Sequence, residues 1–233
     1  RSARRCGASP LGTRAESPCR SPTTAIWSRP GRSRTEEGRV TRGYTVSWRT
    51  RRRRRHGAHI HYLSGIKNPL GLKVGPSTNI DDLKKNIEIL NPENEGGRLT
   101  LIVRMGAEKI QSTFPNLLKE IDKLGLNLTW VCDPMHGNTS TSNSGYKTRA
   151  TDNILSEIKS FFEIHQSQGS IPGGVHLELT GLNVTECVGG PEDIKDENLG
   201  DRYHTFCDPR LNVNQSLELS FLLADLLSNG DTL

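Results

Sequence analysis

From residue 70 onward, short apolar runs alternate with stretches whose apolar residues recur three and four positions apart. Leu70-Gly71-Leu72-Lys73-Val74 reads as a short strand, closed by the Gly75-Pro76 turn. A helix follows from Ile80 to Leu90, with Ile80, Leu83, Ile87 and Leu90 on one side and Thr78 or Asn79 placed to cap it. Arg98 to Met105 reads as a second strand. Ile110, Phe114, Leu117, Leu118, Ile121 and Leu124 mark a second helix, stopped at Gly125. Leu126 to Cys132 reads as a third strand, and Asp133 to Tyr146 as a long polar loop. Then come a helix from Ile154 to Ile164, a strand from Gly173 to Thr180, a loop-rich stretch and an apolar helix from Leu211 to Leu227.

Strand and helix therefore take turns four times, about 30–45 residues apart, which is the pattern of βα units on a parallel sheet. Four units make half of an eight-unit barrel or one open doubly wound sheet. No GxGxxG or Walker A loop follows any of these strands, so a nucleotide-binding sheet loses ground. Alternate strand residues share a face. Val175, Leu177 and Leu179 thus oppose His176, Glu178 and Thr180. Leu101, Val103 and Met105 oppose Thr100, Ile102 and Arg104, and Lys73 stands opposite Leu72 and Val74. In a barrel the apolar set meets the helices, and Lys73, Arg104 and Glu178 point into the mouth, where βα barrels keep their chemistry.

Charge divides the chain. Residues 1–55 hold 16 Arg, no Lys and three acids (Glu16, Glu36, Glu37), a net charge of +13, whereas residues 56–233 hold 15 basic and 23 acidic residues, a net of −8. The overall +5 therefore belongs to the leader. That leader is rich in Arg, Ser, Pro and Gly and lacks the apolar periodicity that would offset ordering its backbone. Three readings stand: a transit peptide, a nucleic-acid arm at Arg51 to Arg55, or a stretch foreign to the protein, such as out-of-frame translation. The absence of Lys before Lys67 favours the last. The five Cys (6, 19, 132, 187 and 207) form no CxxC pair and no disulfide framework. No window approaches the roughly 18 apolar residues of a membrane span.

Three apolar runs end in good metal ligands: Trp130 to Thr139 carries His136, Gly173 to Gly181 carries Glu178, and Cys207 to Asn212 carries Asp208. A mixed nitrogen and oxygen set suits Mn²⁺, Co²⁺, Fe²⁺ or Zn²⁺. Lys73 and Arg104 suit an anionic substrate. Asn138, Lys147 and Arg149 offer a grip for a second phosphate. Any one of these alone reads better as a structural ion pair or a turn cap. Together they point to a ligand or a metal, because unpaired buried charge costs several kcal/mol per ion. A metal beside a double anion grip suits a phosphorylated carboxylate and a carbonyl, with the metal as Lewis acid.

The blocks NPLGLKVGPS (68–77), RLTLIVRMG (98–106), DPMHGNT (133–139), GGVHLELTG-x-NVTEC-x-GG (173–190) and CDPRLN-x-x-QSLEL (207–219) closely resemble class II, plant-type 3-deoxy-D-arabino-heptulosonate 7-phosphate (DAHP) synthases. The resemblance covers about residues 57–228. It implies a (β/α)8 TIM barrel, of which this chain carries the C-terminal half. It implies condensation of phosphoenolpyruvate with erythrose 4-phosphate, the first step of the shikimate pathway. It sets His136, Glu178 and Asp208 on the family's metal ligands, with Mn²⁺ the expected ion, and Lys73 and Arg104 on its phosphoenolpyruvate-binding residues. Lys73, Arg104 and His136 are thereby the expected catalytic residues.

Counting back from Lys73 sets Arg51 on a further phosphoenolpyruvate Arg, although Thr50 replaces the family's Glu and the block is one residue short of Trp48. The family's Cys ligand and another Arg belong to an upstream region that these blocks do not include, and none of Cys132, Cys187 and Cys207 takes that ligand position. Residues 1–55 are accordingly expected to be a disordered basic leader foreign to the family, and residues 56–233 a partial TIM-barrel catalytic domain. As a fragment it is expected to show little activity alone; the alternative is a non-catalytic remnant that binds metal or a partner subunit. A homo-oligomer is expected in the full-length family, with no membrane and no nucleic acid as partner. A cytoplasmic location is expected, or a plastid in a plant.

Overall fold

The structure, a computed structural model, describes residues 24–28, 44–46 and 58–230. Its centre is a parallel sheet of β3 (Leu70–Val74), β4 (Leu99–Val103), β5 (Leu128–Cys132) and β8 (Gly174–Glu178). These strands lie side by side in chain order, and the links between them carry α2 (Ile80–Leu90), α3 (Ala107–Asp122) and α5 (Thr151–Ser167). The connections are those of consecutive βα units, as the alternation of apolar patterns predicts, and the sheet is half of a barrel, as the family resemblance implies. Helix α1 (Ala58–Ser64) precedes the first unit, and α6 (Val213–Gly230) closes the described chain.

Two strands fall inside the expected leader. β2 (Tyr44–Val46) runs parallel to β3, and β1 (Thr24–Ser28) runs antiparallel to β8. The rest of residues 1–55, including Arg51 and the expected disorder, lies outside the described residues.

The strand register separates two faces. Leu72, Leu101 and Trp130 lie abreast, as do Val74, Val103, Cys132 and, one strand further, Val175. All are buried in one continuous core with the apolar sides of α2, α3 and α5. Phe114 of α3 stacks on Phe161 of α5 at 5.4 Å and meets Trp130 of β5 edge-on at 5.6 Å. Lys73, Ile102 and Val131 form a row on the other face.

Local signals explain the element ends. The Asn79 side chain caps α2 by accepting from the Asp82 N–H at 3.0 Å. Gly125 takes a φ of 62° just beyond α3, the left-handed end that glycine favours. Asn212 and Gln215 bond reciprocally ahead of α6, a capping box.

One expectation fails. The supposed polar loop from Asp133 to Tyr146 is folded into α4 (Pro134–Gly137) and a hairpin of β6 (Thr139–Thr141) and β7 (Lys147–Arg149). The Asp133 carboxylate caps α4, accepting from the Met135 and His136 N–H groups, and Met135 is fully buried. Polar composition hid this, because capping and site chemistry use the same residues.

Replacing Phe114 by Ala is expected to remove about 3–5 kcal/mol of stability, the cost of truncating a fully buried aromatic side chain. A lower urea midpoint at unchanged slope checks this.

Candidate metal and anion site

The C-terminal strand ends converge on His136. β5 ends at Cys132, and the Asp133-Pro134 corner starts the short helix that carries His136. Asp133 is fully buried. Its carboxylate accepts from Lys73 Nζ at 2.6 Å and lies 2.8 and 3.0 Å from His136 Nδ1. Burial opposes its charge, but His136 and Lys73 outweigh this and hold the carboxyl well below the usual carboxylate range.

With Nδ1 held by a carboxylate, the other ring nitrogen of His136 is the one aimed outward. His136 Nε2 lies 3.5 Å from Glu178 Oε1 and 3.7 Å from Asp208 Oδ2. Ligand atoms of His136, Glu178 and Asp208 all lie within 4.8 Å of one another, and each side chain is partly buried. One nitrogen and two carboxylates face each other across that gap. These donors, one imidazole nitrogen and two carboxylate oxygens, suit a divalent transition metal. The residues present therefore fit a metal, and the buried carboxylate behind the imidazole is the usual support for a ligating His.

The expected second-phosphate residues lie beside this cluster and are already engaged. Lys147 pairs with Asp208, and Arg149 Nη1 donates to Glu178 Oε2 at 2.6 Å and to the Pro209 carbonyl. Arg149 is fully buried, and its Nη2 has no hydrogen-bond partner among the described residues. Burial raises the Asp208 carboxyl, but Lys147 and then Arg149 more than reverse this and leave it below its ordinary value. Asn138 donates to the Pro134 carbonyl and to Glu157 Oε2, both at 2.7 Å, and accepts from the Ala107 N–H.

Arg104 sits one residue beyond β4, half-buried, and its Nη2 donates to the His136 carbonyl at 3.3 Å. Lys73 lies inside β3, 3.3 Å from His136 Nδ1. Lys73, Arg104, His136, Glu178, Asp208, Asn138, Lys147 and Arg149 are thus brought to one end of the half-barrel. Cys132 and Cys187 are buried, and burial pushes the Cys187 thiol up to about 12. Cys207 is exposed, its Sγ 3.9 Å from Asp208 Oδ2.

Sequence reasoning missed three residues. Asp133 was visible as an acid before proline, three positions ahead of His136, where an N-cap belongs. Glu157 was visible as a lone acid among Ile154, Ile158 and Phe161, the apolar side of α5. His176, on the strand face shared with Glu178, is buried and its ring centroid lies 6.4 Å from that of His136. Burial lowers its pKa, and its Nδ1 has no partner among the described residues.

With this geometry in place, the comparison with known proteins is decisive. Residues 34–224 match the class-II DAHP synthetase family. The chain belongs to that family. Across 194 residues it is 50% identical to a phospho-2-dehydro-3-deoxyheptonate aldolase of Streptomyces coelicolor, which covers 83% of this chain and 43% of that protein. Across 177 residues it is 50% identical to the phospho-2-dehydro-3-deoxyheptonate aldolase AroG of Mycolicibacterium smegmatis, covering 76% of this chain and 38% of that one. The chain thus spans less than half the length of these relatives. The family match begins at residue 34, within the stretch expected as leader, and takes in every site residue described above. Among the described residues of this class-II chain, no helix is long and apolar enough to cross a membrane.

Asp133→Asn removes a buried carboxylate that pairs with Lys73 and His136 and is expected to cost about 3–5 kcal/mol at neutral pH. The folded carboxyl titrates below its ordinary value of 3.8. Its contribution is therefore complete above that value and is lost as pH falls through the lower folded value. Urea unfolding should show a constant gap between wild type and variant from neutral pH down to about pH 4, closing only below it.

Proposed function

We propose that this chain provides the metal-facing and phosphoenolpyruvate-facing part of a DAHP synthase, which condenses phosphoenolpyruvate with erythrose 4-phosphate and releases phosphate. The observation that carries the reading is the convergence of His136, Glu178 and Asp208 within 4.8 Å, in a class-II chain, beside Lys73 and Arg104. His136, Glu178 and Asp208 would hold a divalent ion, with Mn²⁺ proposed and Co²⁺, Fe²⁺ or Zn²⁺ as substitutes. When bound, that ion supplies Lewis acidity toward the aldehyde oxygen of erythrose 4-phosphate.

The protein's own residues do the rest. Arg104 presents a planar guanidinium whose hydrogen bonding, among the described residues, is confined to the His136 carbonyl. It is suited to grip the carboxylate or phosphate of phosphoenolpyruvate in bidentate fashion. Lys73 adds a buried positive charge at the same strand-end level, fixed in place by Asp133. Condensation forms a carbon–carbon bond from the methylene carbon of the enol phosphate to the aldehyde carbon, whose oxygen takes a proton; water then adds to the phosphate-bearing carbon, and cleavage of its C–O bond releases phosphate and leaves the ketone. Lys73 and Arg104 stabilise negative charge on the phosphoenolpyruvate through this sequence. Lys147, whose side chain is 44% exposed, is the group placed to meet the second substrate's phosphate. Arg149, with no exposure, serves instead to hold Glu178.

Calorimetry should show one Mn²⁺ bound per chain, with affinity falling at least about tenfold in His136→Ala, since even loss of an outer-shell partner costs that much. Phosphate release with both substrates and Mn²⁺ should be slight in the wild type, as expected of a chain that spans less than half of its relatives, and should vanish in Lys73→Met. Mn²⁺ binding without turnover would reduce the chain to a metal-binding module, and absence of Mn²⁺ binding would overturn the reading.

A further inference from the structure

Glu157 projects from α5 and is fully buried, yet no step of the proposed chemistry uses it. Its Oε1 accepts from the Met105 N–H at 2.8 Å and the Gly106 N–H at 2.9 Å, and its Oε2 accepts from Asn138 Nδ2 at 2.7 Å. The first two amides immediately follow Arg104 and lead into α3, while Asn138 lies two residues after His136. The two segments also touch directly: a Cβ on Gly137 would stand 2.4 Å from the Gly106 nitrogen. One carboxylate thus bridges the turn after β4 and the end of α4, where the two backbones approach closely.

We propose that Glu157 is a positioning residue, tying the Arg104 segment to the His136 segment so that the anion grip and the metal ligand keep a fixed separation. The proposal rests on the roles given above to Arg104 and His136. Both carboxylate oxygens are used as acceptors, and that is the chemical requirement. A glutamine offers one acceptor oxygen, and its amide N–H groups then face either the Asn138 donor or the two backbone donors. Glu157→Gln therefore keeps the volume and breaks one of the two links, whereas Glu157→Ala breaks both.

The bridge is also sensitive to protonation. Burial pushes the Glu157 carboxyl up to about 7, and Asp133, the charged group facing it from the β5–α4 corner, pushes the same way. The groups facing it from β4–α3 are the uncharged Gly106 and Met105 amides, and from the α4–β6 turn the Asn138 amide; all three favour the anion. Protonation removes one acceptor, as glutamine does. The bridge is complete above about pH 7 and loses one of its two links below it.

Residue-resolved amide hydrogen exchange on the unliganded chain tests the link directly. In Glu157→Gln, exchange should rise about tenfold or more in residues 104–107 and 136–138 together, the expected effect of losing a hydrogen bond to a charged group. It should stay unchanged in α2. Calorimetric titration with phosphoenolpyruvate in Mn²⁺ tests the consequence. The variant should bind several-fold more weakly at about pH 8 and should lack an acid-side weakening near pH 7 that the wild type shows beyond the ligand's own titration. A purely structural role would lower the melting temperature but leave the two pH profiles parallel. Parallel profiles, unchanged exchange in both segments, or a uniform rise across the whole half-barrel would each overturn the proposal. A wild type that binds neither Mn²⁺ nor phosphoenolpyruvate sinks the proposed function instead, and the exchange comparison then decides the bridge alone.

Discussion

A carboxylate without solvent holds the site in place. Asp133 is fully buried, and an isolated carboxylate there would cost several kcal/mol. It is tolerated because Lys73 Nζ, the His136 ring and two backbone N–H groups converge on its two oxygens. Those donors come from different elements: Lys73 is in β3, and the others belong to the helix that follows β5. Satisfying one buried charge therefore fixes the spacing of two strand ends. It also orients the imidazole, so that Nε2 faces Glu178 and Asp208.

The neighbouring carboxylates follow the same rule. Glu178 is met by Arg149, Asp208 by Lys147 and Glu186 by Arg210. Glu186 also accepts from the backbone N–H groups of His204 and Arg210, which anchors the loop that leads to Asp208. Each of these three acids is thus tied to a partner from a distant part of the chain, and the long segment between β8 and α6 keeps its shape with little regular structure beyond the 3-10 turns at Asp196–Arg202. Close backbone approach supplies the remaining constraint. Gly137 and Gly106 cross with no room for a side chain, which is why the residue after His136 is glycine.

The sheet was legible because its outward face obeys a single rule. Burial against helices demands apolar residues at alternate strand positions and at three-and-four spacing in helices, and no competing requirement acts there. Helix α2 accordingly runs from Ile80 to Leu90, as its periodicity predicts. The segment after β5 was not legible, because Asp133, His136, Asn138 and Arg149 satisfy caps, ion pairs and site geometry at once, and polar residues in such roles look like loop. His136, Glu178 and Asp208 could be found from the ends of apolar runs. Glu157 could not be assigned a role in that way, since two of the groups it binds are backbone amides about fifty positions away, which leave no mark in side-chain pattern.

Parity along the strands keeps the two demands apart. Lys73 lies between Leu72 and Val74, and His176 between Val175 and Leu177, so every second residue is committed to the core and the intervening ones are released from it. Stability is supplied on the helix-covered side, by contacts such as those of Phe114, Trp130 and Phe161. The opposite side can then carry groups that would be costly in a core, provided that each charge finds a partner. A one-residue slip in any strand would exchange the two sets, burying Lys73 against α2 and turning Leu72 inward. The tight register of β3, β4 and β5 is therefore a requirement of the site as much as of the fold.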